Sequence, residues 1–333
     1  MKRLAVFLPL LVSSGVYAFE ATPYIVNGTQ ANIANYPSFS SLYFDDGRFY
    51  GNFCGSTIIN SEYILTAAHC IYGDYNRMLH TWAVPQVTNE SGYLNGDYES
   101  VRAVEFYYPD GYVHSSAQKW PNDIAIIKLA RPLSGAPNYI SKLNFDNAKS
   151  TLQRTGGYKA IGHGLIEGNV DSDGILLETD LTFTFDSRCG TSEGQLCFDG
   201  ALDGNYKNST CKGDSGGPVY ADFGTNDGYV QIGITSFGPE SCGDRTEPAT
   251  SAFTNIHYYQ NWINRVINGG EIPKYHIVTE GDTRQLVENV SANVKATNEH
   301  TDAASSSGGS GGSLGWLSLL TLGFYGLRKK RAN

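Results

Sequence analysis

Gly213-Asp214-Ser215-Gly216-Gly217-Pro218 sets a serine among glycines, and Thr66-Ala67-Ala68-His69-Cys70 sets a histidine beside a cysteine. A serine hydroxyl is a weak nucleophile until a base takes its proton, and imidazole, which changes charge near neutral pH, suits that task. Glycines let the chain turn tightly and bring its own N–H groups close to a reacting carbonyl. In a third segment, Asp123 stands just ahead of the apolar run Ile124-Ala125-Ile126-Ile127-Lys128-Leu129, where a carboxylate can orient the imidazole. Each motif also has a plainer reading. A bare Gly-x-Ser-x-Gly is more often a simple turn, and His69 read alone is a structural core residue, as the other six histidines are read to be. Asp123 read alone is a helix cap or a surface turn residue after Pro121-Asn122. Together the three motifs outweigh those readings.

The elements that must position these groups lie between Ile25 and about Asn268. Val230, Ile232 and Ile234 alternate with Gln231, Gly233 and Thr235, the pattern of a half-buried strand. Ile124–Leu129 reads as a strand buried on both faces. Ile256, Tyr259, Ile263, Val266 and Ile267 recur at helical spacing, which predicts a terminal amphipathic helix closing near Asn268-Gly269-Gly270. With 22 Tyr and 38 Gly in 333 residues, the body reads as a mostly β, strand-and-turn protein.

Both ends read as processed. Residues 1–18 carry Lys2 and Arg3, the apolar run Leu4–Val12 and the small-residue end Val16-Tyr17-Ala18, the pattern of a secretory signal. Residues 269–304 are polar and weakly patterned, a linker. In 305–333 a Ser/Gly-rich stretch precedes the apolar Leu314–Leu327 and then Arg328-Lys329-Lys330-Arg331. Fourteen helical residues rise about 21 Å, short of the roughly 30 Å hydrocarbon core. Removing Lys2, Arg3, Glu20 and the four terminal basic residues takes the formal charge from −9 to −14. So acidic a body has no electrostatic footprint for nucleic acid. Six cysteines in an exported chain point to disulfides, with 15 pairings possible, and no CxxC or His/Cys spacing supports a metal cluster.

The chain order His, Asp, Ser with these flanks resembles the trypsin/chymotrypsin family of serine endopeptidases, over about 244 of the 333 residues. The resemblance implies an all-β fold: two packed six-stranded antiparallel β-barrels with a C-terminal helix. It implies His69 as general base, Asp123 as its orienting partner and Ser215 as nucleophile, with the N–H groups of Gly213 and Ser215 as oxyanion hole. It selects the pairs Cys54–Cys70, Cys189–Cys197 and Cys211–Cys242. It implies protein or peptide substrates, a monomer, and no cofactor or metal.

The family is made as zymogens. Ile25-Val26-Asn27-Gly28 matches its mature start, with Asn27 where glycine is usual, and Ile25 would pair with Asp214 after cleavage of Tyr24-Ile25. Residues 19–24 are then a short propeptide, and Tyr24 departs from the family's basic residue. Ser209 stands at the base of the specificity pocket, where trypsin-type members carry Asp. Ser236-Phe237-Gly238 matches the segment that pairs with the substrate strand, and Ser251 replaces a pocket-wall glycine. These features imply a chymotrypsin-like choice of apolar or aromatic residues, unless Asp244 or Glu247 reaches in and restores basic specificity. Gly308-Gly309-Ser310-Gly311-Gly312 with the short span and basic end resembles the glycine-glycine C-terminal sorting signal (GlyGly-CTERM) of Gram-negative exported proteins. That implies export through the periplasm, a rhomboid-type sorting protease, type II secretion and transient membrane association, with a permanent cell-surface anchor as the alternative. Two readings compete with the peptidase: a non-catalytic surface binding module on the same fold, and an esterase using the same triad.

Overall fold

The structure, a computed structural model, describes residues 25–135, 143, 152, 157–166, 170, 173–224, 228–281 and 283–291, with the backbone of 329–330. Six strands fill the first half: β1 (Phe39–Asp45), β2 (Phe49–Ile58), β3 (Tyr63–Thr66), β4 (Thr81–Pro85), β5 (Val101–Tyr107) and β6 (Ala125–Leu129). Going round, β1 pairs β2, β2 pairs β3, β3 pairs β6, β6 pairs β5, β5 pairs β4 and β4 returns to β1, all antiparallel. The sheet therefore closes on itself, although β4 covers only Val101 and Arg102 of β5.

The second half repeats the order. Its strands are β7 (Tyr158–Gly162), β8 (Leu177–Thr184), β9 (Gln195–Asp199), β10 (Pro218–Asp222), β11 (Tyr229–Phe237) and β12 (Ser251–Asn255). They pair β7–β8, β8–β9, β9–β12, β12–β11, β11–β10 and β10–β7. Strand for strand this is the connectivity of the first barrel, although the sequence shows no internal repeat. The all-β double barrel implied by the resemblance is the fold observed.

Each barrel has its own apolar core cluster. Ile64, Leu65, Phe106, Ile124 and Ile126 pack the first, and Leu196, Phe198, Val219 and Phe253 the second. The C-terminal helix, Gln260–Ile267, follows a 3-10 turn at Ile256–Tyr259. Its buried Trp262, Ile263 and Val266 join the core of the first barrel. The helix thus crosses back over the half of the molecule that does not contain it.

Two expectations need correction. The strand around Val230–Thr235 was expected to expose one face, yet Gln231 and Thr235 are buried as well. β11 lies inside a closed sheet and its second face is covered by neighbouring structure. The segment 269–304 was expected to be a linker, but β13 (Tyr275–Glu280) and β14 (Thr283–Glu288) form a hairpin within it. Tyr275 and His276 pair with Phe106 and Glu105 of β5, so the hairpin continues the sheet of the first barrel. Lys274, only 4% exposed, ion-pairs with Asp110 and fixes its root. The leader, propeptide and sorting-tail expectations lie outside the described residues. Among the described residues, no helix is long and apolar enough to cross a membrane.

Candidate active site

The β3–β6 register places the first two site residues. Thr66 pairs with Ala125, so the chain leaving β3 and the chain entering β6 lie at the same end of the sheet. His69 sits in a 3-10 turn, Ala68–Cys70, just past β3, and Asp123 sits just ahead of β6. The Cys54–Cys70 disulfide holds that turn against β2. His69 Nδ1 and Asp123 Oδ2 are 2.7 Å apart, and the backbone N–H of His69 donates to Asp123 Oδ1 at 2.9 Å. Both carboxylate oxygens therefore face the same histidine, and the acid is 1% exposed.

Asp123 has further supports. Ser236 Oγ donates to its Oδ2 at 2.5 Å, and Thr254 Oγ1 donates to its backbone oxygen at 2.6 Å. Both donors come from the second barrel. Asn122, in the left-handed region at φ 59°, donates to Gly111 O and accepts from Tyr259 OH at 2.8 Å. This pins the turn that delivers Asp123, and asparagine is among the few side chains that tolerate the conformation.

Ser215 precedes β10 in the second barrel and is partly exposed. Its backbone oxygen accepts from Gly55 N on β2 at 2.8 Å, so the serine turn is fastened to the strand that carries Cys54. Gly216 N donates to Thr235 O, and Thr235 N to Gly217 O, which ties the same turn to β11. A Cβ at residue 216 would lie 2.6 Å from Gly55 O and 3.1 Å from Cys70 Sγ, so no larger residue fits there. Gly213 has φ 105°, a region that side-chain-bearing residues avoid. Among the described residues, neither the Gly213 nor the Ser215 N–H donates to a protein acceptor.

Asp214 points the other way, into the protein, and is fully buried. It accepts from Gly164 N and Cys211 N, each at 2.8 Å. Burial pushes its pKa up to about 7, and those two N–H groups oppose the rise. Ile25 and Val26 are also fully buried. Ile25 packs on Ile166 and Leu177, and Val26 on the Cys211–Cys242 disulfide. Asn27 adopts φ 57°, a conformation that favours glycine and that asparagine tolerates, and donates to Tyr206 O at 2.8 Å.

On the pocket side, Phe237, Gly238, Pro239, Glu247, Ser251 and Ala252 border a cavity of about 250 Å³. Ser209 lies behind it, fully buried, donating to Thr210 O at 2.6 Å and Thr250 O at 3.1 Å. Ser251 Oγ accepts from Thr210 N and Thr210 Oγ1. Ser236, expected to act through its backbone, also acts through its side chain on Asp123. Asp244 is turned onto its own loop, accepting from Thr246 N and Oγ1, whereas Glu247 is a wall of the cavity. The third disulfide is Cys189–Cys197. Cys54, His69 and Cys70 present their ligand atoms within 4.8 Å of one another, but both sulfurs are locked in the disulfide, leaving one nitrogen donor.

His114 corrects the reading of the remaining histidines as core residues. It is exposed, bonded through Nδ1 to Tyr112 OH at 2.8 Å, with its ring stacked on Tyr72. Burial of part of the ring holds its pKa below the usual range, the nearby His69 lowers it further, and Asp123 opposes both. His163 does match the core reading: it is buried, and burial lowers its pKa to about 3, keeping it neutral.

A family model described as Trypsin matches residues 25–263. Beta-fibrinogenase mucrofibrase-3 of Protobothrops mucrosquamatus is 27% identical over 279 residues, covering 81% of this chain and 97% of that protein. Snake venom serine protease Haly-2 of Gloydius brevicauda is 28% identical over 286 residues, with the same coverage. Among solved structures, neuropsin, a serine protease expressed in the limbic system of mouse brain, aligns with a TM-score of 0.58 and 20% identity. That alignment covers 73% of this chain and all of neuropsin.

Proposed function

The chain belongs to the trypsin family and is a serine endopeptidase, and from that premise we propose that Ser215, His69 and Asp123 are its catalytic triad. The observation that carries the reading is the pair of hydrogen bonds from the ring and backbone of His69 to Asp123, made at the end of the sheet to which the Ser215 turn is fastened. Asp123 bonded at Nδ1 leaves Nε2 to take the Ser215 proton and stabilises the imidazolium that results. The alkoxide attacks the peptide carbonyl, and the Gly213 and Ser215 N–H groups, which lack protein acceptors among the described residues, receive the negative charge on oxygen. Imidazolium then protonates the leaving amine, and water regenerates Ser215 from the acyl-enzyme.

The protein is exported as a precursor, residues 1–18 being its signal and 19–24 its propeptide. The disulfides and the venom relatives support an extracellular place of action. Cleavage of Tyr24-Ile25 gives Ile25 an ammonium that pairs with Asp214, a carboxylate otherwise buried without a cation among the described residues. GlyGly-CTERM sorting of the tail by a rhomboid-type protease after type II secretion follows from the resemblance of residues 305–333. The substrate residue before the cut bond is apolar or aromatic, because Ser209 offers no charge and its hydroxyl is spent on two carbonyls. A second reading, basic specificity, has one observation in its favour: Glu247 borders the cavity beside Gly238 and Ser251. Mass-spectrometric analysis of a peptide library digested by the processed protein tests the assignment. Cuts after Phe, Tyr, Leu or Met support it, and dominant cuts after Arg or Lys overturn it.

A further inference from the structure

Away from the catalytic cleft, the first barrel and the C-terminal hairpin enclose a cavity of about 330 Å³. One wall is the β1–β2 turn at Asp45 and Asp46, a second is His80 with Trp82, and a third is Arg102 of β5 with Arg284 of β14. Arg284 lies beyond the segment that the family model matches.

The two guanidiniums are held in place. Arg102 lies over the Trp82 ring, 4.3 Å from its centroid. Arg284 Nη2 donates to Ala103 O at 2.9 Å, while its Nη1 is buried and has no hydrogen-bond partner. Among the described residues, no carboxylate forms an ion pair with either arginine. The acids of the facing wall are committed to the turn and to Tyr93. Asp45 accepts from Gly47 N and Tyr93 OH, and Asp46 from Arg48 N and Phe49 N. Burial holds Arg284 below its ordinary pKa, and the neighbouring Arg102 pushes it the same way. The two guanidiniums face Asp45 and Asp46 across the cavity without an ion pair to either acid among the described residues, so an anion bound on the arginine side would be their first ion-pair partner. A guanidinium fork is shaped for two oxygens of one group.

We propose that Arg102 and Arg284 form a binding site for a tetrahedral oxyanion, a phosphate or sulfate group, that fastens the C-terminal hairpin to the first barrel. The cavity exceeds the size of the bare ion, so a phosphate or sulfate ester fits as well as the free ion. This site is independent of the peptidase reading.

Calorimetric melting of the processed protein tests it, titrating inorganic phosphate, inorganic sulfate and a monosaccharide phosphate against sodium chloride at matched ionic strength. The expected result is a saturable rise in Tm with the oxyanions and none with chloride. Arg102→Gln and Arg284→Gln, each compared with its own ion-free Tm, should weaken the apparent affinity at least about tenfold, while Arg284→Lys retains part of it. Tighter binding of the sugar phosphate than of either ion assigns the ligand as an ester; equal binding assigns the free ion. A rise that never saturates, or one that persists unchanged in both glutamine variants, overturns the proposal.

Discussion

Ser236 and Asp123 meet across the two barrels, the serine hydroxyl donating to the carboxylate at 2.5 Å from 113 residues away in sequence. The contact depends on an irregularity in pairing. Thr235 faces Phe253 and Phe237 faces Ala252, leaving Ser236 as the extra residue of a bulge between β11 and β12. A bulge re-aims a side chain, and here it turns a strand hydroxyl toward the acid that holds His69. Ser236→Ala should lower kcat/KM by about 10–100-fold, the effect of losing a hydrogen bond to a charged group of roughly 1.5–3 kcal/mol. Steady-state kinetics on a small ester and a peptide check it. An unchanged kcat would show that Asp123 does not need the Ser236 hydroxyl.

Asp214 sets a pH signature of maturation. In the unprocessed chain its folded pKa is about 7, against 3.8 for the ordinary group. Between about pH 4 and 7 the folded state keeps a proton that the unfolded chain has released, so stability falls as pH rises through that window. Pairing with a new ammonium at Ile25 lowers the folded pKa and removes this loss. Urea midpoints from pH 4 to pH 8, for a Ser215→Ala precursor and for the processed chain, should show the precursor losing stability relative to the processed chain as pH rises, since buried His163 adds the same opposing rise to both. The same slope in both contradicts the pairing of Ile25 with Asp214.

Ser209→Asp should not convert the protein to cleavage after Arg or Lys. A carboxylate at that fully buried position would face Thr210 O and Thr250 O, two carbonyls within reach of the single proton of the present hydroxyl. The expected outcome is a loss of stability of about 1–3 kcal/mol without a gain in basic specificity. Thermal melting and a peptide library read the two effects separately. A stable variant cutting after Arg would place Ser209 in open contact with substrate.

Much of this was legible in the sequence because tight chemistry leaves short motifs. Ser215, His69 and Asp123 each stand in a local pattern, and the family that the patterns resemble supplies the double barrel. What the sequence hid was long-range. Nothing local marks Ser236 or Thr254 as supports of Asp123, since their partner is more than a hundred residues away. The hairpin was missed for a different reason. Tyr275-His276-Ile277-Val278-Thr279-Glu280 and Thr283-Arg284-Gln285-Leu286-Val287-Glu288 flank Gly281, with β-branched residues on both sides, a strand–turn–strand signal diluted by many charges. Its anchors, Lys274 and Tyr275, are single residues whose burial only the folded barrel reveals.

Removing the Cys54–Cys70 disulfide should harm activity more than stability accounts for. The bridge closes a short loop, 16 residues in sequence separation, so its loss costs about 3 kcal/mol on loop-closure grounds. It also fixes the turn that carries His69. The paired alanine variant, assayed well below its own Tm, should show a reduced kcat at full foldedness. The Cys189–Cys197 double variant, whose bridge leaves His69 untouched, should not. Equal kcat in the two variants would deny the first bridge a positioning role.

The most direct test is covalent. A fluorophosphonate probe reacts only with a serine whose proton is taken by a neighbouring base and whose oxyanion is received. Incubated with protein processed at Tyr24-Ile25 and mapped by mass spectrometry, it should leave one adduct on Ser215, absent from His69→Ala and Ser215→Ala variants that melt as the parent does. Folded, processed protein that carries no adduct on Ser215, or carries it equally in the His69→Ala variant, would contradict the account.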